Sequence, residues 1–271
     1  MPDDGHQTPQ VREESTDAYV RQAEADIVAL FEQYPDRVFY YRQLSVMFEH
    51  KYFHWVTNIA THALVDKRRL STIEIALGEK SRLKFVFRRG LRYYRRIIQK
   101  SVDIVRRYSE YDVAEACGQQ AELLFLSALA ERGFVCHGRD VNAFRGKQWS
   151  ETNHDLDFIV ERDQVVYGVE VKNRLDYIDR HELQRKLDMC AFLGIRPLMI
   201  MRALPKTYIY EIMQYGGFAL VFEAQIYPFG SKELVKDIRE VLGLKVDCPR
   251  AIPSGIIERF LRWHGRVEIK P

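Results

Sequence analysis

Asn153-His154-Asp155-Leu156-Asp157-Phe158-Ile159-Val160 and Gly168-Val169-Glu170-Val171-Lys172-Asn173 set the fold of this chain. Each is an apolar run interrupted by charge at strand spacing. Side chains in a strand alternate, so Glu170 and Lys172 share one face while Tyr167, Val169 and Val171 take the other. A two-residue turn at Asp163-Gln164 makes Arg162 face Val165, which sets Asp157 opposite Glu170 and Asp155 opposite Lys172. Directly opposed side chains have Cβ atoms roughly 4.5–5.5 Å apart. Two carboxylates that close repel unless a cation sits between them. Hard oxygen ligands with room for water and phosphate suit Mg²⁺, with Mn²⁺ as its substitute. A one-residue slip in register would reverse every face. The alternative is a solvent-facing hairpin edge on which Glu170 and Lys172 are incidental. Against it, Val165-Val166-Tyr167-Gly168-Val169 looks like a central buried strand, and charges at its end need a reason.

Outward from this pair, the spacing predicts a helix over 113–132 and strands over 134–142, 156–161 and 165–172. A helix over 179–193, a strand over 197–201, a helix over 206–215 and a strand over 218–222 follow. This α/β order, α-β-β-β-α-β with an α-β extension, together with Asp157 and Glu170-Val171-Lys172, resembles the PD-(D/E)XK nuclease superfamily. That is the restriction-endonuclease-like fold of archaeal Holliday-junction resolvases and Mrr-type enzymes. The literal Pro-Asp is absent, since Leu156 precedes Asp157. The resemblance implies metal-dependent DNA cleavage, with Asp157, Glu170 and the Val171 carbonyl on a metal and Lys172 on the attacking water. It also implies metal support from Glu122 on the preceding helix. Asp155 is a candidate extra carboxylate, and Gln184 stands where some members carry a Gln on the helix behind the site. A surface or capping role is the alternative for Glu122, and a helix-surface position is the alternative for Gln184.

Upstream, residues 1–18 lack hydrophobic periodicity and are expected to form a disordered tail. Over 19–90 the pattern predicts three helices, the third from about Phe53 to Arg68 with Val56, Ile59, Ala60, Ala63 and Leu64 inward. Two strands follow, 70–77 and 82–87, joined by Gly78-Glu79-Lys80-Ser81. This order resembles a winged helix-turn-helix, a mixed α+β unit whose third helix enters the major groove and whose wing touches backbone. The resemblance implies DNA contact by His54, Thr57, Asn58, Thr61 and His62, then Lys67, Arg68 and Arg69. The wing would add Lys80, Arg82 and Lys84. A winged helix used for dimerisation or docking is the alternative. Residues 91–112 are expected to be a basic connecting helix that, with Arg88 and Arg89, lays Arg92, Arg95 and Arg96 along phosphates. Simple solvation of those arginines is equally open. Residues 113–246 form the expected nuclease-like domain and 247–271 a basic extension, open to being a helix that docks on either domain or on a partner.

Composition agrees with a folded, water-facing protein. The chain has 271 residues, 46% hydrophobic and 29% charged, with no apolar run near the roughly 20 residues of a membrane span. A polar, acidic start without a signal-like apolar segment suggests a cytoplasmic protein. The four cysteines, Cys117, Cys136, Cys190 and Cys248, lie far apart, which argues against a zinc module or disulfide scaffold. The net charge of +3 hides an asymmetry. Residues 64–111 hold fourteen basic residues against five acidic, whereas 1–63 hold five against ten and 112–247 seventeen against twenty-one. Such a block suits a polyanion partner. DNA, duplex or branched, is the expected partner, with homodimerisation open. A non-catalytic DNA-binding regulator and an RNA-processing nuclease remain alternatives.

Overall fold

Asp163 and Gln164 both adopt left-handed backbone, φ 50° and 61°, the pattern of a two-residue reversal between twisted strands. The turn pairs Arg162 with Val165 and carries the register on to Phe158 opposite Val169. The structure, a computed structural model, describes residues 9–78 and 81–267, with side chains from residue 17. The chain divides into two compact units, Met1–Tyr108 with Asp237–Leu244, and Ser109–Lys236 with Lys245–Pro271. The second unit therefore starts slightly before the expected boundary, and a short return segment belongs to the first.

In the first unit the elements are α1 (Pro9–Gln33), β1 (Val38–Tyr40), α2 (Tyr41–Phe48), α3 (His54–Asp66), β2 (Leu70–Ala76), β3 (Arg82–Arg88) and α4 (Tyr94–Tyr108). The strands form one antiparallel sheet in the order β1-β3-β2. Ile27, Phe31, Phe39, Leu44, Val56, Ala60, Leu64 and Val86 form its core. Strand β1 was not anticipated, because three residues are too few for a period to register. Helix α1 begins at Pro9, inside the expected tail, with proline at the first position, where a missing amide costs little. Residues 1–8 of that tail lie outside the described residues, as do Glu79 and Lys80 of the expected wing turn.

Helix α3 is rotated from expectation. Thr57 and Thr61 are buried, whereas Ile59 is 47% exposed and Trp55 49%. The inward stripe centres on Ala60; Thr61 enters it because its hydroxyl bonds back along the helix, whereas the Thr57 hydroxyl is buried without a hydrogen-bond partner. Thr61 Oγ1 donates to the Thr57 carbonyl at 2.7 Å.

In the second unit α5 (Tyr111–Ala130) leads into β4 (Val135–Val141), a small hairpin β5 (Ala143–Phe144) and β6 (Lys147–Gln148), then β7 (Leu156–Arg162) and β8 (Val165–Lys172). There follow α6 (Arg180–Leu193), β9 (Arg196–Met201), α7 (Lys206–Gln214) and β10 (Phe218–Val221). The strand order is β10-β9-β8-β7-β4, antiparallel from β4 to β8 and parallel from β8 to β10. Phe158, Val160, Tyr167, Val169 and Val171 pack on one face with Phe125 of α5. Leu156, Ile159 and Val166 pack on the other with Met189, Cys190 and Leu193 of α6. Beyond β11 (Gln225–Ile226), α8 (Lys232–Asp237) and β12 (Val246–Asp247) comes α9 (Ser254–His264). Its Ile257 and Phe260 join the first face. The stretch expected as a basic extension is thus part of the core, its apolar stripe masked in sequence by Arg259 and Arg262. His264 locks it, with Nδ1 2.7 Å from Tyr167 Oη and Nε2 3.2 Å from Asp163 Oδ2.

Gly168 permits α6 to approach the sheet. A Cβ there would stand 2.7 Å from Leu156 Cδ1, 2.8 Å from Cys190 Sγ and 2.9 Å from Ile195 Cδ1. Overpacking of that kind costs about 1–3 kcal/mol, so Gly168→Ala should lower the urea midpoint with an unchanged slope. A midpoint equal to that of the wild type would show that α6 is not held at this distance.

Candidate functional site

The β7–β8 pairing ends at Phe158–Val169, one pair short of Asp157. Beyond that point Val171 N–H donates to the Asp157 side chain, Oδ2 at 2.5 Å, in place of a strand partner. Lys172 O accepts from Arg202 N on the β9 side. Backbone groups alternate along a strand, so the Val171 carbonyl faces the Asp157 side. Asp157, Glu170 and this carbonyl therefore meet where the two strands part.

Glu170 is fully buried. Its Oε1 lies 2.8 Å from Lys172 Nζ and its Oε2 2.5 Å from Lys186 Nζ. Neither oxygen has a hydrogen bond of good geometry, so two ammonium charges alone compensate it. Lys172 is held in turn by Glu182 at 2.8 Å, and Lys186 donates to the Asp155 main-chain oxygen.

The electrostatics follow from burial. Desolvation, then the Glu170 charge, pushes the Asp157 carboxyl up to about 7, against the Val171 hydrogen bond. Burial opposes the charge on Lys172, but Glu170 and Glu182 outweigh it and raise its pKa. Lys172 is thus held as an ammonium. Burial also raises Glu122, offset by Arg139, whose Nη2 lies 3.4 Å from Glu122 Oε2.

This donor set fits a hard divalent cation. It offers one desolvated carboxylate near neutrality, one buried carboxylate without directional hydrogen bonds, and a carbonyl. Among the described residues no three or more His, Cys, Asp or Glu side chains converge to hold an ion unaided. Water and phosphate oxygens would complete the shell, as Mg²⁺ commonly requires.

The other candidates divide. Glu122 acts on Asp157 through its charge but is engaged with Arg139. The Asp155 side chain is exposed, and its carbonyl rather than its carboxyl meets Lys186. Gln184 is engaged by Tyr215 and Asp188, its Nε2 2.6 Å from Tyr215 Oη and 2.8 Å from Asp188 Oδ1. Lys186 was missed, although its signal was present. It falls in the stripe Leu183-Lys186-Leu187-Cys190, where an inward lysine demands a buried anion. Asn173 was missed too. It is buried and ties β8 to the Cys117 carbonyl of α5 at 2.8 Å and to both backbone groups of Ile226. Arg202, also buried, holds the loop after β8 through the Arg174 and Leu175 carbonyls.

The basic block divides as well. Arg82 and Lys84 both pair with Glu74, Lys67 with Glu24, Arg106 with Asp103 and Arg107 with Asp237. Asn58 accepts from Ser45 Oγ, and the His62 ring lies 5.0 Å from Tyr41. Lys80 lies outside the described residues. Arg68, Arg69, Arg88, Arg89, Arg92, Arg95, Arg96 and Lys100 are exposed and make no ion pair among the described residues. Arg69 and Arg88 rim a recess floored by Val28, Phe31 and Leu70, with Glu32 on the same rim.

Two substitutions at the site should move stability in opposite directions. The Asp157 carboxyl titrates near 7 in the fold against an ordinary value of 3.8. Its favourable protonated state is therefore fully present below about 4 and lost as pH rises to about 7. Asp157→Asn should gain on the order of 2 kcal/mol at pH 8, discounted for partial exposure, and nothing near pH 4. Glu170→Gln leaves Lys186 without a carboxylate partner and Lys172 with Glu182 alone, and should cost about 3–5 kcal/mol. Thermal melts at both pH values check the pair; equal effects of the two variants would contradict this charge arrangement. Comparisons with family models, with curated proteins and with solved structures found no match for this chain.

Proposed function

We propose that the chain is a metal-dependent endonuclease that hydrolyses DNA phosphodiester bonds at Asp157, Glu170 and Lys172. The observation that carries this reading is the pairing of a desolvated Asp157, titrating near 7, with a buried Glu170 at the point where β7 and β8 part. Two such carboxylates are kept together at a cost that a divalent cation would relieve.

Asp157, Glu170 and the Val171 carbonyl would hold Mg²⁺, or Mn²⁺ in its place. The ion supplies charge neutralisation at the phosphate and a more acidic water. Lys172, kept protonated by Glu170 and Glu182, is suited to stabilising negative charge developing on the phosphate and to orienting the water. Its raised pKa disfavours a role as general base. Lys186 sets the rotamer of Glu170, and Asn173 and Arg202 fix the end of β8 on which all of this stands.

For the first unit we propose a winged helix-like nucleic-acid-binding module. The order helix, strand, two helices and hairpin supports this, together with its unpaired arginines. Contact through the outward face of α3 is less supported, because that face presents Trp55 and Ile59 and hides Thr57 and Thr61. The arginines before and within α4 are better placed for phosphate contact.

Supercoiled plasmid, single-stranded DNA and RNA, each incubated with Mg²⁺ or with EDTA, test the reading. Cleavage should require the metal and fall by about 100-fold or more in Asp157→Asn and in Lys172→Ala. Binding in EDTA should stay within about twofold of wild type, since neither residue belongs to the basic surface. Mg²⁺ should also raise the wild-type melting temperature at pH 8, with a smaller effect in Asp157→Asn. Full cleavage by both variants would overturn the assignment, and preferential cleavage of RNA would change the substrate.

A further inference from the structure

We propose that the loop Arg88–Tyr93, between β3 and α4, is a stacking site for an unpaired DNA base, with Tyr93 as the platform and neighbouring arginines on the flanking phosphates. This rests on the nucleic-acid reading above and narrows its substrate to DNA with a single-stranded segment, such as a fork, gap or junction.

Tyr93 is 84% exposed, the most exposed large hydrophobic side chain among the described residues. Its backbone is left-handed, φ 59°, a region that bulky residues rarely enter. Such strain persists only where the surroundings enforce it, and they do. Phe87 and Tyr94, on either side of the loop, stack at 4.4 Å with an interplanar angle of 16°. Leu91 N–H donates to the Arg88 carbonyl at 3.1 Å, and Gly90, φ 86°, closes that turn. Arg96 N–H, in the first turn of α4, donates to the Tyr93 carbonyl at 3.1 Å. The loop is therefore braced at its base and at its end, with the phenol ring turned outward.

Along the segment the charge has one sign, although Glu32 of α1 lies on the rim that Arg88 shares. Arg88, Arg89, Arg92, Arg95 and Arg96 are exposed, and no acidic residue occurs between Ser81 and Val102. A rigid aromatic ring among unpaired cations matches a strand that offers phosphates and a free base face together. Paired bases in a duplex are already stacked and offer no such face, whereas an unpaired base does. Sequence tolerance is implied, because every base has a π-face.

The test is equilibrium binding of the full chain, in EDTA so that nothing is cut, to labelled oligothymidylate, a forked duplex and a blunt duplex. Tyr93→Ala should weaken the single strand and the fork about tenfold and leave the blunt duplex within about twofold. Tyr93→Phe should restore wild-type binding, since only the ring face is needed. Arg92→Ala should weaken all three and flatten the salt dependence. Equal loss on all three DNAs in Tyr93→Ala, or no loss on any, would overturn the stacking site while leaving the nucleic-acid reading in place. Failure of the wild type to bind any of them would overturn both. Tighter binding of oligouridylate than of oligothymidylate would overturn the choice of DNA.

Discussion

The second unit turns on one buried carboxylate. Glu170 has no access to solvent, so its charge must be compensated within the fold, and Lys172 and Lys186 do so from opposite origins. Lys172 lies two residues along the same strand, while Lys186 comes from α6. The ion pairs therefore fasten the helix to the sheet at the site itself. Gly168, two residues before Glu170 on the same face, leaves the space this approach needs. Removing one partner of such a group strands the others, which is why the arrangement is rigid rather than merely attractive. Asp157 sits beside it, desolvated and repelled, where ladder pairing has stopped. A fold evolved for stability alone would be better served by apolar residues here. The surplus charge makes physical sense as a place for a cation.

The first unit concentrates charge differently. The described basic residues of the 64–111 block are not equivalent: five are neutralised by nearby carboxylates, and those left over, Arg68 and Arg69 apart, gather before and within α4. Net charge alone would have credited the turn end of the hairpin with the same capacity, yet Glu74 occupies both Arg82 and Lys84 there. Pairing, rather than count, separates a surface that attracts a polyanion from one that is already satisfied.

Much of the second unit was legible from strand spacing. β7 and β8 are short apolar runs buried on both faces, and a two-residue gap between them admits only a tight reversal, so the register followed. The strand pattern does not reveal which helix faces the site. Lys186 and Asn173 act through contacts across 31 and 53 to 56 residues of chain, which no local period encodes. Helix α3 was placed in sequence but rotated wrongly, because Ile59 counted as core and two threonines as surface. Hydrophobicity does not record that Thr61 can satisfy its hydroxyl within the helix, nor that Thr57 is buried with its hydroxyl unbonded. A docking helix was open for the C-terminal stretch, but its arginines drew notice away from Ile257 and Phe260, which join the core.

A divalent cation at Asp157 and Glu170, as proposed above, can be sought in a crystal of the protein soaked in Mn²⁺, with anomalous scattering used to locate the metal. A peak within ligand distance of Asp157, Glu170 and the Val171 carbonyl, with Lys172 and Lys186 shifted from the Glu170 oxygens, is the predicted result. Density in which both lysines keep their ion pairs with Glu170 and no peak appears there would contradict it.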